Sequence, residues 1–455
     1  MFKKNAAPAS AGGYTFSKSL RLRASASAYL SRTPASASNQ RTFTWSAWVK
    51  RANFGTEGNL FEAGLWTYGN QIGVITFAGS DGFAIAAGIY GVNTGQNMLS
   101  TQVFRDPSAW YHMVVAVDTT QATDTNRIKM YVNGTQITAF TQVGTYNIYP
   151  SQNYQYNINS VIAHRIGNDP IGNQYDGYIA ENYFIDGQQL TPSSFGETNS
   201  TTGVWQPVAY TGTYGTNGFY LPFTDIATTS GSNAGLGKDF SGNGNYWTTN
   251  NISVTSGSTY DSMTDVPTLT SATVANYCVL NPINIGSGSS LNSANLNFSV
   301  SSTAGNVKQA QAFGTFGVTS GKYYWEVVWT TSAQNFIGVC NSSQTPDISP
   351  YSASYIRGFV NSSGGLKADG QTSAAYGTTW TTGDVIGVAL DMDTGSIAFY
   401  KNNVSQGTAY TNLSGSTWFP YITGWASGET YVGYFNFGQR PFTYTPPTGY
   451  VALNT

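Results

Sequence analysis

The stretch GDVIGVALDMDTGSIAFYKNN occupies residues 383–403, and its reading decides the fold. Two carboxylates, Asp391 and Asp393, stand two residues apart and are followed by Gly395. A calcium loop of the EF-hand kind needs oxygen donors at alternate positions and a glutamate at the twelfth. Here the glycine comes early, and residues 399–403 read as strand. VIGVALD (385–391) has strand character, Asp393-Thr394-Gly395 has turn chemistry, and SIAFYKNN (396–403) reads as the returning strand. Asn402-Asn403 then turns the chain once more. The expectation is a β-hairpin.

The same grammar recurs along the chain. TFTWSAWVK (42–50) places Phe43, Trp45, Ala47 and Val49 on one face, and WYHMVVAVD (110–118) is an apolar run of strand length. RIKMYVNGTQIT (127–138) alternates Ile128, Met130 and Val132 and then reaches Asn133-Gly134, a strong hairpin signal. No window shows a helical stripe; only TPSSFGE (191–197), with Pro192 after Thr191, suggests a short helical turn. The predicted fold class is all-β, with two jelly-roll-like β-sandwich domains joined by an ordered connector. The expected boundaries are an arm at 1–13, a first sandwich at 14–195, a Gly/Ser/Asn-rich connector with strands at 196–275, and a second sandwich at 276–455. The connector is too long for a bare loop, and its Phe219, Leu221, Phe223, Phe240, Tyr246 and Trp247 need burial.

Charged residues make up 9 % of the 455 positions, yet aromatics at 15 % argue against disorder. No apolar run reaches the roughly 18–20 residues that span a bilayer, so no membrane insertion is expected. A net charge of −2 gives no support for a nucleic-acid role. The first 51 residues hold nine bases and no acid: Lys3, Lys4, Lys18, Arg21, Arg23, Arg32, Arg41, Lys50 and Arg51. Several are expected on the solvent face of the first strands; the other reading is a basic arm docking on an acidic partner. Cys278 and Cys340 lie in apolar strand-like runs and are expected to be buried free thiols. The N-terminus lacks the apolar core of a signal peptide.

Paired-carboxylate hydrolysis is a further possible chemistry for a β-sandwich. A retaining glycosidase needs two carboxyls about 5 Å apart. The nearest group, Asp176, Glu181 and Asp186, is spaced by five, which puts successive members on opposite strand faces. The expectation is a protein that is not an enzyme. His112 and His164 stand singly in strand-like runs and are expected to be structural. Ligand contact is assigned to loop aromatics, because Trp and Tyr stack on the apolar faces of sugars. The candidates are Trp66 and Tyr68 in GLWTYGNQ (64–71), and Tyr351, Tyr355 and Arg357 in SPYSASYIRG (349–358).

Residues 321–445 resemble the SPRY domain, a non-catalytic binding sandwich. The resemblance is carried by GKYYWEV (321–327), IGVC (337–340), the 383–403 stretch, WFPYI (418–422) and YFNFGQRPFTY (434–444). It implies that Tyr351, Tyr355 and Arg357 lie among variable binding loops. Residues from about 14 to 195 resemble the laminin-G-like members of the concanavalin A-like family. The carriers are FTWSAWVKR (43–51), WYHMVVAVD (110–118), IKMYVNG (128–134) and YDGYIAENYFIDGQQLTPSSF (175–195). That resemblance implies calcium near loop tips, with Asp118 and NDP (168–170) as candidate ligands; no other cofactor is implied. KDFSGNGNYW (238–247) is similar to the opening motif of another such sandwich.

The whole arrangement resembles bacteriophage virion proteins called tail fibre or structural proteins. It implies a place on the virion surface, an adhesin role toward host surface glycans or proteins, and attachment to tail or capsid proteins through the N-terminal region. The alternative is a capsid decoration or head-fibre protein, and a polysaccharide depolymerase is disfavoured by the missing acids. No heptad or collagen-like repeat marks a trimer, which leaves a homo-oligomer open.

Overall fold

The computed structural model describes residues 2–3 and 14–455, apart from positions 66, 68, 90, 93–94, 229–230, 304, 332–333 and 363. The hairpin expected at 383–403 forms. Val385–Asp391 pairs antiparallel with Ser396–Lys401, in a register that sets Asp391 opposite Ser396. Asp391 Oδ1 accepts the backbone N–H groups of Asp393 and Thr394 at 3.0 and 3.1 Å, so the acidic pair folds the turn. The next turn has Asn402 and Asn403 at φ 46° and 68°, the left-handed pair that a two-residue hairpin demands.

The chain divides into two compact units, one of Ser10–Thr255 with Thr259–Thr268, the other chiefly of Leu269–Thr455. Among the described residues there are strands and short 3-10 turns but no α-helix; one such turn, Pro192–Ser194, stands where Thr191-Pro192 signalled it.

In the first unit two eight-stranded sheets face each other. One runs Thr135–Ile137, Ile128–Val132, Tyr111–Asp118, Thr42–Arg51, Gly177–Asp186, Ser19–Leu22, Ser262–Met263, with Phe219–Leu221 as an eighth strand paired to Gly177–Asp186 off this path. The other runs Phe140–Thr141, Gly95–Val103, Gly82–Ile89, Gln71–Phe77, Gly58–Gly64, His164–Ile166, Tyr29–Arg32, Thr248–Asn250. Phe43, Trp45, Ala47, Val49, Ile128, Met130 and Val132 all enter the core between them, as strand alternation requires. The run 110–118 is apolar on both faces for a physical reason. Met113, Val115 and Val117 point into the core, while Val114 and Ala116 join a second cluster with Tyr131, Tyr183, Ile185 and Phe195. A strand covered on both faces does not alternate.

Segment 196–268 supplies the cover and extends both sheets. Phe219–Leu221 pairs with Gly177–Asp186, Thr248–Asn250 with Tyr29–Arg32, and Ser262–Met263 with Ser19–Leu22. Phe219, Leu221, Phe223 and Trp247 are buried as expected, whereas Phe240 is 42 % exposed and lies 5.0 Å beneath the Lys238 ammonium. Asp239 of KDFSGNGNYW accepts N–H groups of Tyr220, Ser241 and Asn245 and the Ser241 hydroxyl, so the motif here is a folded turn within the first unit.

The basic N-terminal stretch departs from expectation. Arg21, Arg23, Lys50 and Arg51 are buried, not on a solvent face. Arg21 and Arg23 pair with Asp261, Lys50 with Asp265 and Arg51 with Asp81. The acids that neutralise the stretch are far away in sequence, which is why local charge counting misplaces it.

The second unit is also a sandwich. One sheet runs Leu280–Ile285, Gln311–Gly314, Trp418–Gly424, Asn335–Asn341, Ile356–Val360, Leu366–Ala368, Ser373–Ala375. The other runs Ser289–Asn292, Asn297–Ser301, Thr430–Asn436, Lys322–Trp329, Val385–Asp391, Ser396–Lys401, Val404–Tyr410. Trp325 and Trp329 are fully buried, and Trp329 meets Phe298 edge-on at 4.9 Å. Cys278 and Cys340 are buried, and among the described residues neither is in a disulfide.

Candidate binding surfaces

Carboxylates that might have done chemistry hold the fold instead. Asp186 accepts the N–H groups of Asn39 and Asn217 and the Asn159 amide, and Asp176 faces the Ala24 N–H. Asp176 precedes and Asp186 ends the ten-residue strand Gly177–Asp186, of roughly 33 Å, so they do not converge. Glu181 sits mid-strand at a β-bulge between Ala180 and Tyr183, with φ 48° and 4 % exposure. Its Oε2 meets the phenols of Tyr14, Tyr183 and Tyr220 at 2.8, 2.8 and 2.7 Å, and Tyr14 meets Tyr220 at 2.6 Å.

These four contacts share only three phenol protons. A proton on Glu181 would supply the donor for the fourth contact. Burial drives the Glu181 carboxyl upward against the pull of the three phenols, in the same sense. The expected result is that Glu181→Gln, which keeps a donor and an acceptor, changes stability by less than about 1 kcal/mol, while Glu181→Ala costs about 2–3 kcal/mol. Thermal unfolding of both variants tests this; equal losses would show that the carboxyl is ionised.

Both histidines are interior. His112 is stacked between Trp48 and Trp205, with ring centroids at 5.0 and 5.9 Å. The Trp205 indole N–H donates to Nδ1 at 2.9 Å, so Nε2 carries the proton and donates to Ser46 Oγ at 2.9 Å. Room for Trp205 comes from two glycines: a Cβ on Gly134 or Gly196 would stand 2.4 or 2.5 Å from its ring. His164 Nε2 accepts the Asn159 N–H at 3.0 Å, and Nδ1 donates to the Ile162 carbonyl at 2.8 Å.

Calcium does not suit the loop-tip acids. Asp169 Oδ1 accepts the N–H groups of Ile171, Gly172 and Asn173, and Oδ2 accepts the side-chain amides of Asn59 and Asn173. Asp118 is likewise filled by Thr42, Thr120 and Gln121. Hard cations need six to eight oxygen donors, and these carboxylates face N–H and O–H donors. Among the described residues no group of three or more His, Cys, Asp or Glu could hold a metal.

Trp66 and Tyr68 lie outside the described residues. The other three candidates share one loop and strand of the second unit. Tyr351 donates to the Trp425 carbonyl at 2.6 Å and meets its ring edge-on at 4.9 Å. Arg357 is 8 % exposed, with Nη1 on the Ser354 and Ile356 carbonyls and Nε on Asn412. Its guanidinium stands 5.4 and 5.6 Å from the rings of Tyr410 and Trp418. These two side chains brace the 349–358 loop, while Ser352 and Ser354 are exposed and Tyr355 half-buried. The loop is thus a rigid rim whose outward groups are hydroxyls and one phenol.

Two sandwiches, the second with this braced loop between Asn335–Asn341 and Ile356–Val360, are matched by two family models. The model described as SPRY domain matches residues 322–440. The chain carries a SPRY domain. A second model, the concanavalin A-like lectin/glucanases superfamily, matches residues 24–194. The two matches point to binding or protein-interaction roles. The E3 ubiquitin-protein ligase RKP of Arabidopsis thaliana is 39 % identical over 82 residues, covering 17 % of this chain and 6 % of that protein. The ATP-dependent RNA helicase DDX1 of Xenopus laevis is 28 % identical over 186 residues, covering 41 % of this chain and 24 % of the relative. Ran-binding protein 9 of Danio rerio is 30 % identical over 127 residues, covering 27 % and 21 %. The chain therefore spans a quarter or less of each of these relatives, which are eukaryotic, and none of the three is a virion protein. Among solved structures, the SPRY domain of human HERC1 superposes with a TM-score of 0.26 at 19 % identity, over 31 % of this chain and 87 % of that one. The TRIM65 PSpry domain gives 0.29 at 13 % identity, over 35 % and 92 %.

The Glu181 phenol network, the Trp48–His112–Trp205 stack and the internal ion pairs were not foreseen. The only local signals were GNGNYW and an aromatic-rich connector, and neither names a partner far along the chain.

Proposed function

We propose that the chain is a non-enzymatic adhesive protein of a bacteriophage particle, displayed on the virion surface and contacting host glycans or proteins through loops. The observation that carries the non-enzymatic part is the commitment of Asp176, Glu181 and Asp186 to structural hydrogen bonds at separate points of one strand. The virion context rests on the resemblance of the whole arrangement, and the binding role on the SPRY and concanavalin A-like domains. The braced 349–358 loop, with Tyr355 and its flanking serines, is the surface assigned to the partner.

Immunogold electron microscopy of intact virions, with antibody to the purified protein, tests the reading. Gold at the tail is expected. Gold over the head would replace the adhesin by a decoration protein, and unlabelled but infectious particles would overturn the context altogether. Clearing of host capsule by purified protein would overturn the non-enzymatic assignment. A truncation testing N-terminal anchoring should stop at residue 13, because Tyr14 bonds Glu181 in the folded unit.

A further inference from the structure

The first unit closes a lysine and an aspartate together out of reach of solvent. Val49 points into the core, so Lys50 points to the opposite face of Thr42–Arg51. Asp265 reaches that face from the 259–268 segment. Ser262–Met263 ties this segment to Ser19–Leu22, and the Ser19 hydroxyl ties it again by donating to the Asp265 carbonyl at 2.5 Å. Lys50 Nζ stands 2.8 Å from Asp265 Oδ2, and the two side chains are 1 % and 0 % exposed. Trp110 and Tyr178, both buried, wall the pair. Their ring centroids lie 6.2 Å apart, and Nζ lies 5.6 Å from the centre of the Tyr178 ring.

This pair differs from the other ion pairs among the described residues. Lys238–Asp225, Lys322–Asp391 and Lys401–Asp384 have lysines 26–39 % exposed, where water competes for both groups. The remaining pairs use arginine, whose guanidinium keeps its proton and is no nucleophile. A lysine amine becomes a nucleophile when it is desolvated. With Oδ2 at 2.8 Å, Nζ stands on the order of 3.5 Å from Cγ, the separation of a near-attack pair. The other carboxyl oxygen, Oδ1, accepts the Trp110 indole N–H at 3.0 Å. A donor there stabilises the negative charge that builds on Oδ1 when an amine adds to Cγ.

We propose that Lys50 and Asp265 condense to an isopeptide bond between Nζ and Cγ, which ties Thr42–Arg51 covalently to the 259–268 segment. The ammonium first passes a proton to Oδ2, giving an amine and a carboxylic acid, the uncharged forms that a water-poor site favours. The Nζ lone pair then adds to Cγ, and the C=O electrons move to Oδ1, against the Trp110 N–H. Nζ gives a second proton to the Oδ2 hydroxyl, which leaves as water while the Oδ1 electrons return to carbon. One C–N bond forms and one C–O bond breaks. Ammonium and carboxylate become amide and water, so no oxidant, reductant or cofactor is needed. Hydrolysis would need water at a carbon that solvent does not reach. The linked residues are 215 positions apart, so the bond would close a long loop in the unfolded chain and restrict it. The cross-link stands apart from the binding role and is read whether or not gold labels a virion.

Mass spectrometry of the intact chain is the test. The protein should weigh one water less than its sequence, and a protease digest should yield a branched peptide that joins Lys50 to Asp265. Lys50→Arg, which keeps the charge but cannot condense, should restore the full mass. Trp110→Phe should slow closure by about 10²- to 10³-fold, read as the linked fraction over time in freshly purified protein. Should either variant fail to fold, the mass and the branched peptide of the parent chain still decide. Full mass in both fresh and aged protein, with Lys50 and Asp265 on separate peptides, overturns the proposal. So does a missing water that persists in Lys50→Arg, because a succinimide elsewhere would then account for it.

Discussion

Replacing Asp261 by Ala should cost the first unit about 3–5 kcal/mol, because it strands two guanidinium groups in the interior. Asp261 Oδ1 accepts Arg21 Nε at 3.0 Å and Arg23 Nε at 2.9 Å, while Oδ2 accepts Arg23 Nη2 at 3.0 Å and the Ser253 N–H at 2.9 Å. The Arg21 and Asp261 side chains are both fully buried. Burial lowers the Arg21 pKa, and the Asp261 charge works against that trend. Without the carboxylate the arginines must be hydrated, and the 259–268 segment must leave Ser19–Leu22, where Ser262 pairs with Leu20. Denaturant unfolding followed by tryptophan fluorescence measures the loss. Asp261→Asn should also be destabilising, since it keeps the shape and removes the charge. A loss below about 1 kcal/mol for both variants would mean that the ion cluster does not hold this segment.

The two imidazoles should stay neutral far into acid, His164 down to about pH 4 and His112 down to about pH 3. Burial is the main cause for each, with the Ile162 carbonyl pulling His164 back and Arg32 pushing it further down. Each ring also has one nitrogen facing an N–H donor, Trp205 for His112 and Asn159 for His164, and a proton there would break the contact. The folded pKa lies below the unfolded value of about 6.5, so the unfolded chain binds protons first. The stability linked to these groups is therefore complete above about pH 6.5 and is lost as pH falls toward the folded values, at about 1.4 kcal/mol per pH unit for each histidine. Glu181 opposes this modestly, since its raised carboxyl is stabilising when protonated. The chain has only two histidines, so two imidazole resonances can be followed by NMR from pH 7 to 3. Either ring titrating near 6.5 in the folded protein would sink the prediction. Trp205→Phe removes one donor and should let His112 titrate at higher pH than in the parent chain.

The strands and the hairpins were legible because their information is local. Phe43, Trp45, Ala47 and Val49 report a period of two, and that period follows from the pleat alone. Asn402 and Asn403 report a turn because few residues tolerate two left-handed positions in succession. Asp391 reads as a turn acid for the same reason, and its hydrogen bonds to Asp393 and Thr394 span three residues. The continuous apolar run at 110–118 was legible as strand, but its outer cover was not, because Phe195 and Tyr210 come from another part of the chain.

Among the candidate contact residues, Tyr351 and Arg357 read from the sequence as side chains offered to a ligand. The tertiary structure turns both inward, onto the Trp425 carbonyl and between Tyr410 and Trp418. Sequence alone determined the all-β class, the hairpins and the resemblance of each half to a binding sandwich, because alternation and turn chemistry act over a few residues. The tertiary structure decided which charges are spent inside and which aromatics brace a loop. Those outcomes depend on partners such as Arg21 and Asp261, which are 240 residues apart and meet only where Ser262–Met263 pairs with Ser19–Leu22.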